Sequence, residues 1–266
     1  MRNVTKAALL EGRPVFGCVM MTPSALILQA FASGGFEFFF IDTEHAPIGI
    51  ESISSMISAA IAVGTSPMVR VQRPCSDLVK QVLDGGAYGI IFPLIEDKEG
   101  AEAAVRATRY PPLGNRSFGP FHAAQQWNGM PAYDYVKIAN DELLVTVIIE
   151  SRKAIENLDE ILSVPGIDVF LIARGDLTMD LGCPGELENP RVRALVAEAE
   201  RKILEHPTAI LGGQPWTRET AGSMVERGYR FLMLGTDIGL IKIIARQTLD
   251  NAKGAAASTA SPQTPS

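Results

Sequence analysis

The sequence predicts a single-domain α/β barrel of eight parallel strands, each followed by a helix. Three observations carry this reading: short apolar runs recur at fairly regular intervals, amphipathic segments separate most of them, and no glycine-rich dinucleotide or phosphate loop follows an early strand. Strand alternating with helix implies parallel pairing through right-handed crossovers. Eight such units in 266 residues suit a closed (β/α)8 barrel better than an open doubly wound sheet.

The runs Val15–Met20, Phe38–Ile41, Met68–Val71, Gly89–Phe92, Leu143–Ile149, Val169–Ile172, Ala209–Leu211 and Phe231–Leu234 read as strands. They are apolar throughout, as expected of a parallel sheet covered on both faces. Helical spacing of apolar residues marks Glu51–Ala62, Asp77–Leu83, Lys98–Thr108, Ala154–Leu162, Pro190–Glu205 and Arg218–Arg227. Gly85-Gly86 reads as a helix stop and Gly212-Gly213 as a tight strand exit. The longest connection, Tyr110 to Asn140, exceeds the usual loop length of a barrel. Loops of this kind often cover an active site; a surface excursion or a subunit contact is the equal alternative. From about residue 253 the chain has almost nothing to bury, so the barrel is assigned to 1–252 and a disordered tail to 253–266.

Composition narrows the function. A hydrophobic content of 47% is ample for a large core, and a net charge of −6 without a clustered basic face argues against nucleic acid. No long uninterrupted apolar stretch suggests a membrane span, and the first residues are charged too early for a secretory signal. Cys18, Cys75 and Cys183 are odd in number and lack zinc-like spacing, which fits a reducing compartment; the expected location is the cytoplasm.

The strand ends carry the chemistry. In barrels, catalytic groups come from the carboxyl ends of several strands. Here the second run exits at Asp42, Glu44 and His45, the third carries Arg70, the fifth leads to Glu150, and the sixth leads into Ala173-Arg174-Gly175-Asp176. Gathering several acids in one crevice costs free energy unless a cation or hydrogen bonds compensate. Glu150 and Asp176 are the candidate ligands of a hard, oxygen-preferring divalent ion such as Mg2+ or Mn2+, or alternatively helix caps. Asp42 likewise has a capping alternative. With three histidines and no His-Glu-x-x-His, a histidine-rich zinc site is not expected. A Schiff-base mechanism needs a buried lysine at a strand end, and no predicted strand ends in one.

Several motifs occur together and in order: Phe40-Ile-Asp42-Thr-Glu44-His45-Ala-Pro47, Val69-Arg70-Val, Lys80-Gln-Val-Leu-Asp84-Gly-Gly-Ala87, Ala107-Thr-Arg109-Tyr-Pro-Pro112, Arg116-Ser-Phe-Gly119-Pro, Ile149-Glu150-Ser151 and Gly175-Asp176-Leu. In these the chain resembles the HpcH/HpaI family of class II, metal-dependent pyruvate aldolases, over about residues 4–250. The resemblance implies a (β/α)8 barrel, often assembled as a hexamer, a trimer of dimers exchanging a terminal helix. It implies reversible cleavage of 4-hydroxy-2-oxo acids to pyruvate and an aldehyde, with Mg2+, Mn2+ or Co2+ as cofactor. Carried over by position, the metal ligands fall on Glu150 and Asp176, the carbonyl-polarising arginine on Arg70, and the acid/base pair on His45 and Asp42. Arg70 would stabilise the enolate formed at the substrate's keto oxygen. His45 would move the proton if Asp42 holds its tautomer. Glu44 is expected to orient water of the metal's shell, and the amides of Gly175 and Asp176 to take the substrate carboxylate.

Two departures stand out. Ile148 occupies a position where many family members have Gln, and Ala173-Arg174-Gly175-Asp176 replaces a Gly-Pro-containing turn. Arg174 is therefore a candidate to reach the cavity and favour an acidic substrate or aldehyde; the alternative sends it to solvent or a subunit contact. Competing functions are related enolate chemistry on another electrophile, as in citrate-synthase-like, lyase or oxaloacetate-decarboxylating enzymes, and a barrel kept for binding with a weakened site.

Overall fold

The computed structural model describes residues 3–73, 76–215 and 220–259. Its eight strands are β1 (Val15–Met20), β2 (Phe38–Asp42), β3 (Ser66–Arg70), β4 (Gly89–Phe92), β5 (Leu144–Ile149), β6 (Val169–Ile172), β7 (Ile210–Gly213) and β8 (Phe231–Thr236). All neighbouring pairs are parallel, and β8 closes on β1. The helices are α1 (Val4–Leu10), α2 (Ala25–Ser33), α3 (Ile50–Ala62), α4 (Ser76–Asp84), α5 (Lys98–Thr108), α6 (Phe121–Gln126) and α7 (Ala132–Glu142), followed by α8 (Arg152–Glu156), α9 (Leu158–Leu162), α10 (Arg174–Asp180), α11 (Pro190–Glu205), α12 (Ala221–Glu226) and α13 (Asp237–Thr259). The predicted barrel is the observed one. Among the described residues no helix is long and apolar enough to cross a membrane.

Alternation along the strands builds two cores. Phe38 and Phe40 of β2, Met68 of β3, Leu144 and Ile148 of β5, Val169 and Leu171 of β6, and Phe231 and Met233 of β8 fill the interior. Their neighbours Phe39, Ile41, Val69, Val145, Phe170 and Leu232 face the helix layer. Phe38 and Phe231 stack across the barrel floor at 4.1 Å between ring centroids. Because strand side chains repeat every two residues, the inward series continue Phe38, Phe40, Asp42; Met68, Arg70; and Leu144, Thr146, Ile148, Glu150. The same phase that fills the core below delivers three ionisable groups above it.

Several local expectations change. Gly212-Gly213 lies within β7 and is not a strand exit: a Cβ on Gly212 would stand 2.9 Å from Val169, and one on Gly213 would stand 2.6 Å from the Tyr229 ring. Gly86, at φ 102°, does follow the end of α4. The segment Ala154–Leu162 is two short helices parted at Asn157, and the beginning of the segment predicted over Arg218–Arg227 lies outside the described residues, as does Cys75. The long connection contains α6 and α7 and sits at the amino-terminal end of the barrel. Trp127 donates to Gly86 O at 3.0 Å just ahead of β4, and Arg116 reaches Asp84 at the end of α4 at 2.6 Å. It joins a helix to the start of β5, so within one chain it cannot cover the carboxyl-end cavity.

At the other end of the chain, α13 continues to Thr259, past residue 253 where the sequence reading ends the fold. Alanine has the highest intrinsic helix propensity, and the run Ala255–Ala257 lies in this last stretch. The remainder of the expected tail, residues 260–266, lies outside the described residues. The first acid of α13, Asp237, is fully buried. It accepts hydrogen bonds from Met21 N and Thr22 N, each at 3.0 Å, and from Ile238 N at 2.7 Å, tying the start of the helix to the loop after β1.

Candidate active site

A cavity of about 240 Å3 opens at the carboxyl ends of the strands. Val19, Phe40, Ile148, Leu171 and Met233 form its apolar floor, and Asp42, His45, Arg70, Gly175 and Asp176 stand on its rim. Among the described residues no lysine lines it. Ile148 is a floor residue, so the departure from glutamine gives the cavity an apolar base.

Parallel register places Asp42 of β2 opposite Arg70 of β3. Asp42 Oδ1 accepts from Arg70 Nε at 2.9 Å and Oδ2 from Nη2 at 2.5 Å, a two-pronged pair with Asp42 almost wholly buried. Oδ1 also accepts the amides of Glu44 at 2.9 Å and His45 at 3.2 Å. Burial pushes the Asp42 carboxyl up, but the hydrogen bonds and charge of Arg70, together with the two amides, outweigh it and hold it below its usual range.

This geometry corrects the proposed Asp42–His45 pairing. Asp42 grips the turn's backbone and Arg70, whereas the His45 ring is more than half exposed and faces Glu44, Nε2 lying 3.7 Å from Oε2. The capping alternative is thus partly realised: Asp42 caps the turn, while α3 starts later, after Gly49. Glu44 Oε2 is buried without a hydrogen-bond donor, although Arg70 Nη1 stands 3.1 Å away. Burial, only partly offset by Arg70 and His45, raises the Glu44 carboxyl above its ordinary range.

Glu150 follows β5 and caps nothing. Ser151 is the side-chain cap of α8, while Glu150 Oε1 accepts the backbone N–H of Leu94 at 2.5 Å. Burial pushes Glu150 up to about 7; the Leu94 amide opposes the shift, while the charges of Asp176 and Glu44 add to it. Asp176 lies in the first turn of α10, whose cap position is Ala173 with no side-chain cap bond. The charges of Glu44, Glu150 and Asp176 thus bear on one another, with Arg70 offsetting those of Glu44 and Glu150; of the three carboxylates, Asp176 is the one that lines the cavity. Among the described residues no three His, Cys, Asp or Glu side chains enclose a metal site. Glu150 and Asp176 have the donors to hold a divalent ion that keeps open positions, since both are hard carboxylate oxygens whose like charges act on one another and would be relieved by a cation.

Arg174 is the second correction. It does not line the cavity: it turns into a separate crevice of the helix layer beside Glu200, 3.7 Å away, where Glu200 also accepts from Tyr229 Oη at 2.7 Å. Sequence reasoning missed the amide of Leu94, together with Gln214 and Thr236 on the rim. Gln214 directly follows β7, whose end the sequence reading set at Leu211, three residues short of it, whereas Leu94 carries no side-chain signal.

A closed barrel that gathers acids, one guanidinium and an imidazole over an apolar floor at its strand ends is an enzyme of the α/β-barrel class. The chain belongs to the HpcH/HpaI aldolase/citrate lyase family, whose model matches residues 16–242, and it is a carbon–carbon lyase of the aldolase type. It is 35% identical over 245 residues to a 4-hydroxy-2-oxo-heptane-1,7-dioate aldolase of Escherichia coli, covering 91% of each chain. With a 2-dehydro-3,6-dideoxy-6-sulfogluconate aldolase of Pseudomonas putida it shares 33% identity, covering 90% of this chain and 92% of that one. The solved citrate synthase SbnG superposes with a TM-score of 0.85 at 29% identity, over 95% of this chain and 98% of its own.

Proposed function

We propose that this lyase reversibly cleaves a 4-hydroxy-2-oxo acid into pyruvate and an aldehyde, using a divalent cation held by Glu150 and Asp176. The observation that carries the reading is the charge arrangement: Arg70, braced by Asp42, faces a cavity with Asp176 on its rim, and neither Asp176 nor Glu150 makes an ion pair among the described residues, although the charges of Arg70 and Asp176 both bear on Glu150. The substrate carboxylate is assigned to the amides of Gly175 and Asp176, which lie in the first turn of α10 without helical acceptors. In the cleavage direction His45, at the open rim, takes the proton of the C4 hydroxyl. The C3–C4 bond then breaks, the aldehyde leaves, and the electron pair becomes the enolate of pyruvate. Arg70 stabilises the charge on the C2 oxygen, and a proton returned to C3 completes pyruvate. A bound Mg2+, Mn2+ or Co2+ would add Lewis-acid polarisation of the 2-oxo group. Glu44, beside both Arg70 and His45, sets the field between them.

Chelation tests this directly. EDTA is expected to abolish pyruvate release and Mg2+, Mn2+ or Co2+ to restore it; activity indifferent to chelator overturns the reading. The similarity to a citrate synthase supports a second reading, in which the same enolate meets another electrophile. Product analysis with pyruvate and a panel of aldehydes or thioesters separates the two.

We also infer a homo-oligomer. α13 presents Ile238, Ile241 and Ile244 to solvent and lines an apolar groove with Ile27 and Phe31 of α2, a surface suited to a subunit contact; the assembly proposed is a hexamer, a trimer of dimers. The buried free thiols Cys18 and Cys183 support a cytoplasmic location.

A further inference from the structure

We propose that Leu94 is a positioning residue for Glu150, and that the segment from Pro93 to Asp97 is a clamp whose left-handed backbone aims one N–H at that carboxylate. The inference rests on the reading of Glu150 as a cation ligand. Leu94 has φ 57°, and among the described residues only Asn128 shares a positive φ without being glycine. A leucine seldom adopts this conformation and keeps it only where the surroundings impose it. Its own side chain gives no such reason, being 59% exposed at the edge of the barrel mouth. What the conformation achieves is the 2.5 Å hydrogen bond from Leu94 N to Glu150 Oε1. With Oε1 held, the second oxygen of Glu150 is the one left for a cation.

The surroundings that impose the conformation are also visible. Ile95 is buried, and Asp97 caps α5 by accepting Gly100 N at 2.9 Å, so the far end of the segment is fixed. Between them, Glu96 docks onto the loop that follows Glu150. Its Oε1 accepts Ser151 Oγ at 3.0 Å, its Oε2 accepts Lys153 Nζ at 3.1 Å, and its backbone oxygen accepts Asn157 Nδ2 at 2.9 Å. The loop after β4 is thereby fastened to the loop after β5 on the flank of Glu150. Groups that orient a ligand from behind tune its affinity for the ion, their loss typically costing about 10- to 100-fold.

The test is titration of the full-length, metal-stripped protein with Mn2+, followed by calorimetry and by the spin-resonance signal of free Mn2+. Leu94→Gly keeps the N–H and removes the backbone strain; it is expected to bind Mn2+ with unaltered affinity and to melt no lower than the parent. Leu94→Pro lacks the N–H and imposes a negative φ, and replacement of Leu94 by its α-hydroxy analogue converts the amide to an ester with the side chain kept. Both are expected to weaken Mn2+ binding by about 10- to 100-fold. The ester variant decides the matter if the proline chain does not fold. Unchanged Mn2+ affinity in the ester variant, or a loss in Leu94→Gly equal to that of the ester, overturns the positioning role. Failure of the unaltered protein to show a saturable Mn2+ site removed by Glu150→Ala overturns the metal reading itself, a different result from either of these.

Discussion

Replacing Glu150 by glutamine should stabilise the metal-free protein, and only on the alkaline side. The folded state raises this carboxyl from 4.5 to about 7. Below pH 4.5 both folded and unfolded chains carry the proton and the group costs nothing. As pH rises through 4.5 the unfolded chain ionises first, so stability falls, and the fall ends once the folded carboxyl ionises near 7. At 1.36 kcal/mol per pK unit, the full penalty is about 3 kcal/mol above that pH. Glutamine keeps an oxygen for the Leu94 amide and has no charge to bury. The expected outcome is therefore equal stability of Glu150→Gln and the parent near pH 4.5, and a melting temperature for the variant roughly 6–12 °C higher at pH 8 in EDTA. Adding Mn2+ should reverse the order, because the parent gains a ligand the variant lacks. Thermal melts followed by circular dichroism at the two pH values measure it. A difference between variant and parent that does not change with pH refutes the account of Glu150 as a carboxyl pushed up by burial and its acidic neighbours.

The remaining predictions concern the rim. His45→Ala should slow exchange of the C3 protons of pyruvate in heavy water by about 10²- to 10⁴-fold, while Mn2+ affinity stays put; proton NMR of the pyruvate methyl gives the first number. Arg174→Ala should leave the ratio of rates on acidic and neutral aldehydes unchanged, since its side chain is engaged with Glu200 outside the cavity. A selective loss on acidic aldehydes would put Arg174 back at the site.

The barrel was legible because every strand had to be apolar on both faces, which leaves runs such as Phe38–Ile41 and Val169–Ile172 unmistakable. The helices α6 and α7 were harder, because Pro, Gly and aromatic residues such as Trp127 and Tyr135 serve burial there and read as loop. At the site, strand phase made Asp42, Arg70 and Glu150 visible as a set. Their pairing was not visible. The family resemblance implied an acid/base pair in which Asp42 holds the His45 ring, but here a tight turn brings the amides of the next residues to the carboxylate and sends the ring outward. The true partner, Arg70, depends on register between two strands. The direction of Arg174 depends on how α10 is rotated about its axis, which no local pattern records. Leu94 acts through its backbone, where side-chain chemistry gives no sign.

Asp237 gives the last helix a reach beyond its own length. Its carboxylate is the common anchor of α13 and of Met21 and Thr22, and Met21 and Thr236 form part of the cavity rim. The start of α13, the loop after β1 and part of the cavity rim therefore share one fully enclosed acid, and none of the three can shift against the others without breaking its hydrogen bonds.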